Sequence, residues 1–197
     1  MLESRSALES FRGQAAAGVS DHSVVRLGEV VNTQLLHIGV YPGAAARVVA
    51  GASPVLGGAL PERPDRTATA GDHLLFRIAP DQFWVLGGGE RSLEARLREA
   101  IPADAGCVTS LEGARTRLFV EGPRARDLLG RLVPIDLHPA AFPVGGFAQT
   151  GMHHVAGLLF RASEDRYEFF ALRTFAAFTC EVLVDAALPF GYEIVFP

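Results

Sequence analysis

The stretch from Arg115 to Thr150, RTRLFVEGPRARDLLGRLVPIDLHPAAFPVGGFAQT, has a faint echo eighty residues earlier. At that shift Ile38 matches Leu118, Val40 matches Val120, Ala45 matches Ala125, and Val48-Val49 match Leu128-Leu129. Each copy reads as a strand, a Pro-Gly or Gly-Pro turn, and a helix. In the second copy Thr116, Leu118 and Val120 alternate with Arg115, Arg117, Phe119 and Glu121, the period of a strand with one buried face. Gly122-Pro123 then opens a helix, where proline's missing N–H costs nothing because that donor would be unpaired anyway. Ala125, Leu128, Leu129 and Leu132 give this helix one apolar stripe.

The echo continues with a slightly larger shift: Leu74-Leu75-Phe76-Arg77 recurs as Leu158-Leu159-Phe160-Arg161, eighty-four residues on. Behind the first come Asp81 and a strand from Phe83 to Leu86. Behind the second come Asp165 and a strand from Tyr167 to Leu172. Both pairs read as hairpins. The first leads into a helix over Ser92 to Ile101, with Leu93, Leu97, Ala100 and Ile101 on one face and Glu94 and Arg98 spaced to pair. The second leads into a helix over Thr174 to Leu188, for which the spacing predicts a buried stripe of Phe175, Phe178, Val182 and Ala186 and an N-cap at Thr174. Chance echoes arise in any α+β protein, but here every element agrees in order, which argues for duplicated half-domains. The boundaries expected are a flexible arm over 1–21, a first half over 22–108 and a second over 109–197. The segment DLHPAAFPVGGFAQT lies across the change of shift and has no close echo.

With 49% apolar and 20% charged residues in 197, the composition predicts a packed soluble domain. No run approaches the roughly eighteen to twenty apolar residues that span a bilayer. Glu3, Arg5, Glu9 and Arg12 interrupt the first residues, unlike a signal peptide, so a cytoplasmic location is expected. All eighteen basic residues are arginine. A chain without lysine cannot supply a Schiff-base nucleophile, a pyridoxal phosphate anchor or a Walker-type phosphate loop. A net charge of -4 and scattered arginines speak against nucleic acid as a partner.

Few residue patterns point to chemistry. Cys107 and Cys180 lack metal or redox spacing and read as buried packing residues. Gly87-Gly88-Gly89-Glu90-Arg91-Ser92 joins a strand to a helix, where a glycine loop can cradle a diphosphate, but the third fingerprint glycine is missing and Glu90 repels an anion. His22, His37, His73 and His138 are far apart. His153 and His154 are adjacent, and on a strand they would face opposite ways, so no metal site is expected. No nucleophile signature such as Gly-x-Ser-x-Gly occurs. Asp136 and His138 read as a structural pair in the turn before Pro139. Phe119, on the arginine face of its strand, and Phe142 and Phe147, flanking Pro143-Val144-Gly145-Gly146, are aromatic residues beside arginine, a combination that marks interfaces more often than catalytic sites. Together with Arg117, His138 and Gln149 they form the expected partner surface.

Several pieces of this chain resemble the gamma subunit of heterotetrameric sarcosine oxidase. They are Arg115-Thr116, Gly122-Pro123-x-Ala125, Asp136-Leu137-His138-Pro139, Ala141-Phe142 and Ala148-Gln149-Thr150. The hairpin segment Pro80-Asp81-Gln82-Phe83-Trp84-Val85-Leu86 is similar, as are Tyr167-Glu168 and Arg173-x-Phe175-Ala176. The likeness runs from about Gly28 to Gly191. A departure is Thr109-Ser110-Leu111-Glu112, where the family more often has an aspartate-containing turn. The resemblance implies an α+β fold like the folate-binding domain of aminomethyltransferases, a duplicated pair of small ferredoxin-like half-domains with antiparallel sheets covered by helices. It also implies a non-catalytic subunit that stabilises the flavin-bearing chains of a complex demethylating sarcosine to glycine. The partners implied are the alpha, beta and delta subunits. FAD, FMN, NAD, zinc and tetrahydrofolate would sit on those chains and none on this one. Such a subunit, isolated, should expose an apolar patch or self-associate. The alternative allowed by the shared fold is a free-standing folate-binding or aminomethyl-transferring protein, for which Asp81, Asp136 and Arg115 are the candidate residues.

Overall fold

The structure is a computed structural model that describes residues 6, 9–11, 16–17, 25–31, 34–64, 66–87 and 92–195. It divides into two compact units, Asn32–Glu112 and Met1–Val31 with Gly113–Pro197. The elements in chain order begin with β1 (Ala16–Ala17) and β2 (Val25–Glu29) of the discontinuous unit. The continuous unit follows, with β3 (Gln34–Val40), α1 (Ala45–Leu56), β4 (Thr67–Ala70), β5 (His73–Ala79), β6 (Gln82–Gly87), α2 (Leu93–Ala100) and β7 (Gly106–Ser110). The chain then returns to the first unit with β8 (Arg115–Glu121), α3 (Ala125–Leu129), β9 (Phe147–Met152), β10 (Val155–Arg161), β11 (Arg166–Leu172), α4 (Ala176–Ala187) and β12 (Tyr192–Val195).

The continuous unit is an antiparallel five-stranded sheet in the order β4-β5-β6-β3-β7. Alternation along the strands sends Leu36, Ile38, Leu75, Phe83, Val85 and Val108 to the face covered by the helices. There α1 contributes Val48, Ala52 and Leu56 at four-residue spacing, and α2 contributes Leu93 and Leu97. The two helices meet closely at Gly51, where a Cβ would lie 2.3 Å from the Ala100 carbonyl oxygen. Helix α1 ends at Gly57, whose left-handed φ of 76° lets its N–H bond back to Ser53. The Glu94 and Arg98 pair forms at 2.6 Å as its spacing predicts.

The duplication is visible strand by strand. The order β9-β10-β11-β8 repeats β4-β5-β6-β3, and each copy runs strand, helix, three strands, helix. It extends to side chains. Arg77 ends the first LLFR and donates to the carbonyls of Glu62 and Pro80, with its guanidinium 5.5 Å from the ring centre of Phe83. Arg161 ends the second and donates to the carbonyls of Phe142 and Glu164, 5.6 Å from the ring centre of Tyr167. Each arginine therefore grips the carbonyl three residues on, a carbonyl of the loop that enters the hairpin, and the ring six residues on.

The second unit departs from the repeat at its edge. Strand β2, which the sequence reading assigned to the first half, pairs antiparallel with β8 and parallel with β12, so 25–29 belongs with the second unit. Its alternating Val25 and Leu27 insert beside Leu118 and Val120 in one core. The seven-stranded order is thus β1-β12-β2-β8-β11-β10-β9. The described part of residues 1–21 is also docked, contrary to a free arm: Phe11 is buried in the same core, Ser6 donates to Glu29, and β1 pairs with β12. The segment FAQT is not unrepeated, since β9 stands where β4 stands in the other unit.

Helix α4 also corrects the sequence reading. Its buried stripe is Ala176, Thr179, Cys180, Leu183 and Ala187, and Phe175 and Phe178 are exposed. The larger apolar residues therefore lie outside and the smaller ones inside. Thr174 does not cap it; Phe175 is the N-cap position and Thr174 sits in a preceding 3-10 turn. Of the cysteines only Cys180 is buried; Cys107 is exposed because it alternates with Gly106 and Val108, which face the core.

The two arginine clamps differ in burial, which separates their expected weights. Arg161→Met strands the buried Phe142 carbonyl and should lower unfolding free energy by about 3 kcal/mol, and Arg77→Met, whose two carbonyl bonds are solvent-exposed, by about 1 kcal/mol. Urea unfolding of the two variants checks this; equal effects would contradict it.

Candidate partner interface

Strands β8 and β11 carry the arginine face singled out by sequence. Their register sets Arg117 opposite Phe170, Phe119 opposite Glu168, and Glu121 opposite Arg166, all on one face. Charges and rings interlock across these three rungs. Arg117 reaches diagonally to Glu168 at 2.7 Å, and Arg166 bridges Glu121 at 3.0 Å and Glu168 at 3.1 Å. The Arg166 guanidinium lies 4.2 Å from the ring centre of Phe119 and that of Arg117 lies 5.7 Å from the ring centre of Phe170. The Glu168 side chain is only 3% exposed, a burial sustained by its two cationic partners. Gly28 on β2 makes room for the Phe119 ring, because a Cβ there would lie 2.5 Å from it and 2.5 Å from the Val195 carbonyl oxygen.

This face therefore satisfies itself. Phe119 and Phe147 are buried, as is Phe142, which belongs to the helix-side core and stacks on Tyr167 at 6.5 Å. The expectation that these three phenylalanines form a surface patch is corrected: Phe119, Phe147, Phe160, Phe169 and Phe170 are all buried on the strands of one sheet, which carries aromatic rings on both faces. Arg117 is half-buried and engaged with Glu168. Of the six expected interface residues, His138 and Gln149 are exposed. His138 N–H donates to Asp136 Oδ1 at 2.8 Å and His138 Nδ1 accepts from Ala140, so the Asp136 and His138 pairing is a turn built through the backbone. Beside it runs an open groove of about 530 Å3 lined by Arg126, Arg131, Asp136 and His138 among others.

Of the remaining candidates, Asp136 and Arg115 lie in one unit and Asp81 in the other; burial lowers the pKa of Arg115. Residues 88–91 of the glycine loop and His22 lie outside the described residues. His153 and His154 sit on the two-residue turn between β9 and β10, where His153 has a positive φ of 53°, and their rings touch edge to face at 4.1 Å. The expectation that they point apart is corrected by that turn. Among the described residues no group of three or more His, Cys, Asp or Glu could hold a metal. Burial pushes the Cys180 thiol up to about 12, which leaves it without thiolate character at neutral pH.

The family described as "Sarcosine oxidase, gamma subunit family" matches residues 42–188. The chain belongs to that family. It is 29% identical over 178 residues to the sarcosine oxidase subunit gamma of Corynebacterium sp. (strain U-96), covering 89% of this chain and 85% of that one. The corresponding subunit from Arthrobacter sp. is 28% identical over 192 residues, covering 97% and 93%. Among solved structures, a chain of the heterotetrameric sarcosine oxidase from Corynebacterium sp. U-96, in complex with pyrrole 2-carboxylate, superposes with a TM-score of 0.85 at 27% identity, covering 93% and 94% of the two chains. The glycine cleavage system aminomethyltransferase T from Bartonella henselae shares the fold, with a TM-score of 0.62 at 17% identity over 48% of its length. The family match takes in every element from α1 to α4, both clamping arginines and the charged rungs of β8 and β11, while β2 and β12 lie outside its bounds.

What sequence reasoning missed is the outer side of α4. Phe175 and Phe178, 47% and 41% exposed, were read as core because their spacing suits a helix stripe. The signal available was that Ala176, Cys180, Leu183 and Ala187 make a second stripe on the same helix. Glu168 offers a check on the rungs: Glu168→Gln leaves two half-buried guanidinium groups short of a counter-charge and should cost about 2 kcal/mol in urea unfolding, whereas the double change Arg117→Met with Glu168→Leu should cost clearly less. A double variant as unstable as the single one would contradict the rung account.

Proposed function

We propose that this chain is a non-catalytic gamma subunit of a sarcosine oxidase-type complex, where it assembles with and stabilises the flavin-bearing subunits that oxidatively demethylate sarcosine to glycine. The observation that carries the reading is the end-to-end likeness to one chain of a heterotetrameric enzyme, at 93% and 94% coverage. The side-chain chemistry supports it. Glu168, Arg117, Arg166 and Glu121 neutralise one another, and buried Glu29 accepts from Ser6 and Thr116, so the buried charges serve the fold and do not face a substrate. FAD, FMN, NAD, zinc and tetrahydrofolate belong, on this reading, to the alpha, beta and delta partners. The likeness to an aminomethyltransferase is a likeness of fold, consistent with an ancestral one-carbon scaffold retained as a structural piece.

Co-expression of the large subunits with and without this chain tests the proposal. The expected result is that omission abolishes a stable flavin-bearing assembly. A complex that forms and turns over sarcosine equally well without the chain would overturn it. Micromolar binding of tetrahydrofolate by the chain alone would instead favour the free-standing folate-binding alternative.

A further inference from the structure

Among the described residues, Phe175 and Phe178 lie outside the core that the other side of α4 enters. Helical spacing places Phe175, Phe178 and Val182 in one stripe, while Ala186 at its edge packs against the core beside the buried stripe of Ala176, Cys180, Leu183 and Ala187. A helix with two apolar sides is the pattern of an element buried on both. Among the described residues seven large hydrophobics are exposed, and two of them, Phe175 and Phe178, stand three residues apart where α4 begins. That concentration is what separates a docking surface from ordinary surface leucines and valines. The hairpin tip extends it, since the His153 ring meets the Phe178 ring at 6.3 Å.

Charge narrows the occupant. Glu181 and Asp185 stand one turn apart along the border of the stripe and are both exposed, and residues 174–188 contain no basic residue. Neither carboxylate forms an ion pair or a hydrogen bond among the described residues. A second copy of the chain docked through this helix would bring acidic border against acidic border. A partner with an apolar ridge edged by arginine or lysine would instead cover the phenylalanines and pair both carboxylates.

Resting on the assembly reading above, we infer that the Phe175, Phe178 and Val182 side of α4 and the turn that opens it is the surface by which this subunit docks onto a larger subunit of the complex, with Glu181 and Asp185 selecting basic side chains on that partner. The aromatic pair supplies the apolar anchor, and the acidic border sets the choice of partner and its orientation.

The experiment is affinity co-purification of the full-length chain with the co-expressed large subunits, using the wild type, Phe175→Ser with Phe178→Ser, and Glu181→Arg with Asp185→Arg. Thermal melting of each isolated chain is recorded alongside. Both variants change exposed side chains and should melt near the wild type, while each lowers the recovered complex at least about tenfold. Wild-type chain that assembles, with both variants folded and assembling equally well, overturns the docking face. Wild-type chain that fails to co-purify overturns the assembly reading itself. An isolated wild-type dimer that the phenylalanine variant converts to monomer, with complex recovery unchanged, overturns the larger subunit as occupant in favour of a second copy.

Discussion

Arg161 governs the geometry of the discontinuous unit. Its guanidinium donates to the carbonyls of Phe142 and Glu164 and lies over Tyr167, while its backbone exchanges hydrogen bonds with Gly145 and Gly146. Those contacts end the long loop after α3 at a defined place, put the Phe142 ring on Tyr167, and start β9 in register with β10. A planar group with five donors in a fixed fork can hold two carbonyls and a ring together; a lysine ammonium offers no such fork. Arg77 performs the same task in the other unit. In a chain whose basic residues are all arginine, guanidinium groups are the architectural fasteners, on the β8 and β11 rungs as well as in the clamps.

Much of this was legible in the sequence because it rests on local periodicity. The LLFR echo located both hairpins, and the shift of eighty to eighty-four residues located the strand and helix before each. The failures come from long-range effects. Val25–Glu29 joins β8 across about half of the chain's length, and nothing local distinguishes a strand that pairs with its own half from one that crosses to the other. Phe119 reads as surface because it shares a strand face with arginines, and Phe147 because it flanks a loop, yet each sheet buries aromatic rings on both faces. In α4 two stripes compete, and the choice of the bulkier one overlooked that small residues let a helix sit close to its sheet.

The family match and the internal engagement of the charged groups fit together physically. The fold is shared with an aminomethyltransferase, and in this chain the arginine face is locked into ion pairs and ring contacts. Left outside are the phenylalanines at the start of α4, bordered by Glu181 and Asp185. On the docking proposal, the rungs and clamps serve stability and the outer helix side serves assembly.

Hydroxyl-radical footprinting of side chains, compared between the isolated chain and the purified complex, reads this division most directly. The account predicts that Phe175 and Phe178 are oxidised readily in the isolated chain and become strongly protected in the complex, while exposed Tyr41 and Val49 in the other unit change little. Unchanged oxidation of Phe175 and Phe178 on assembly would contradict it.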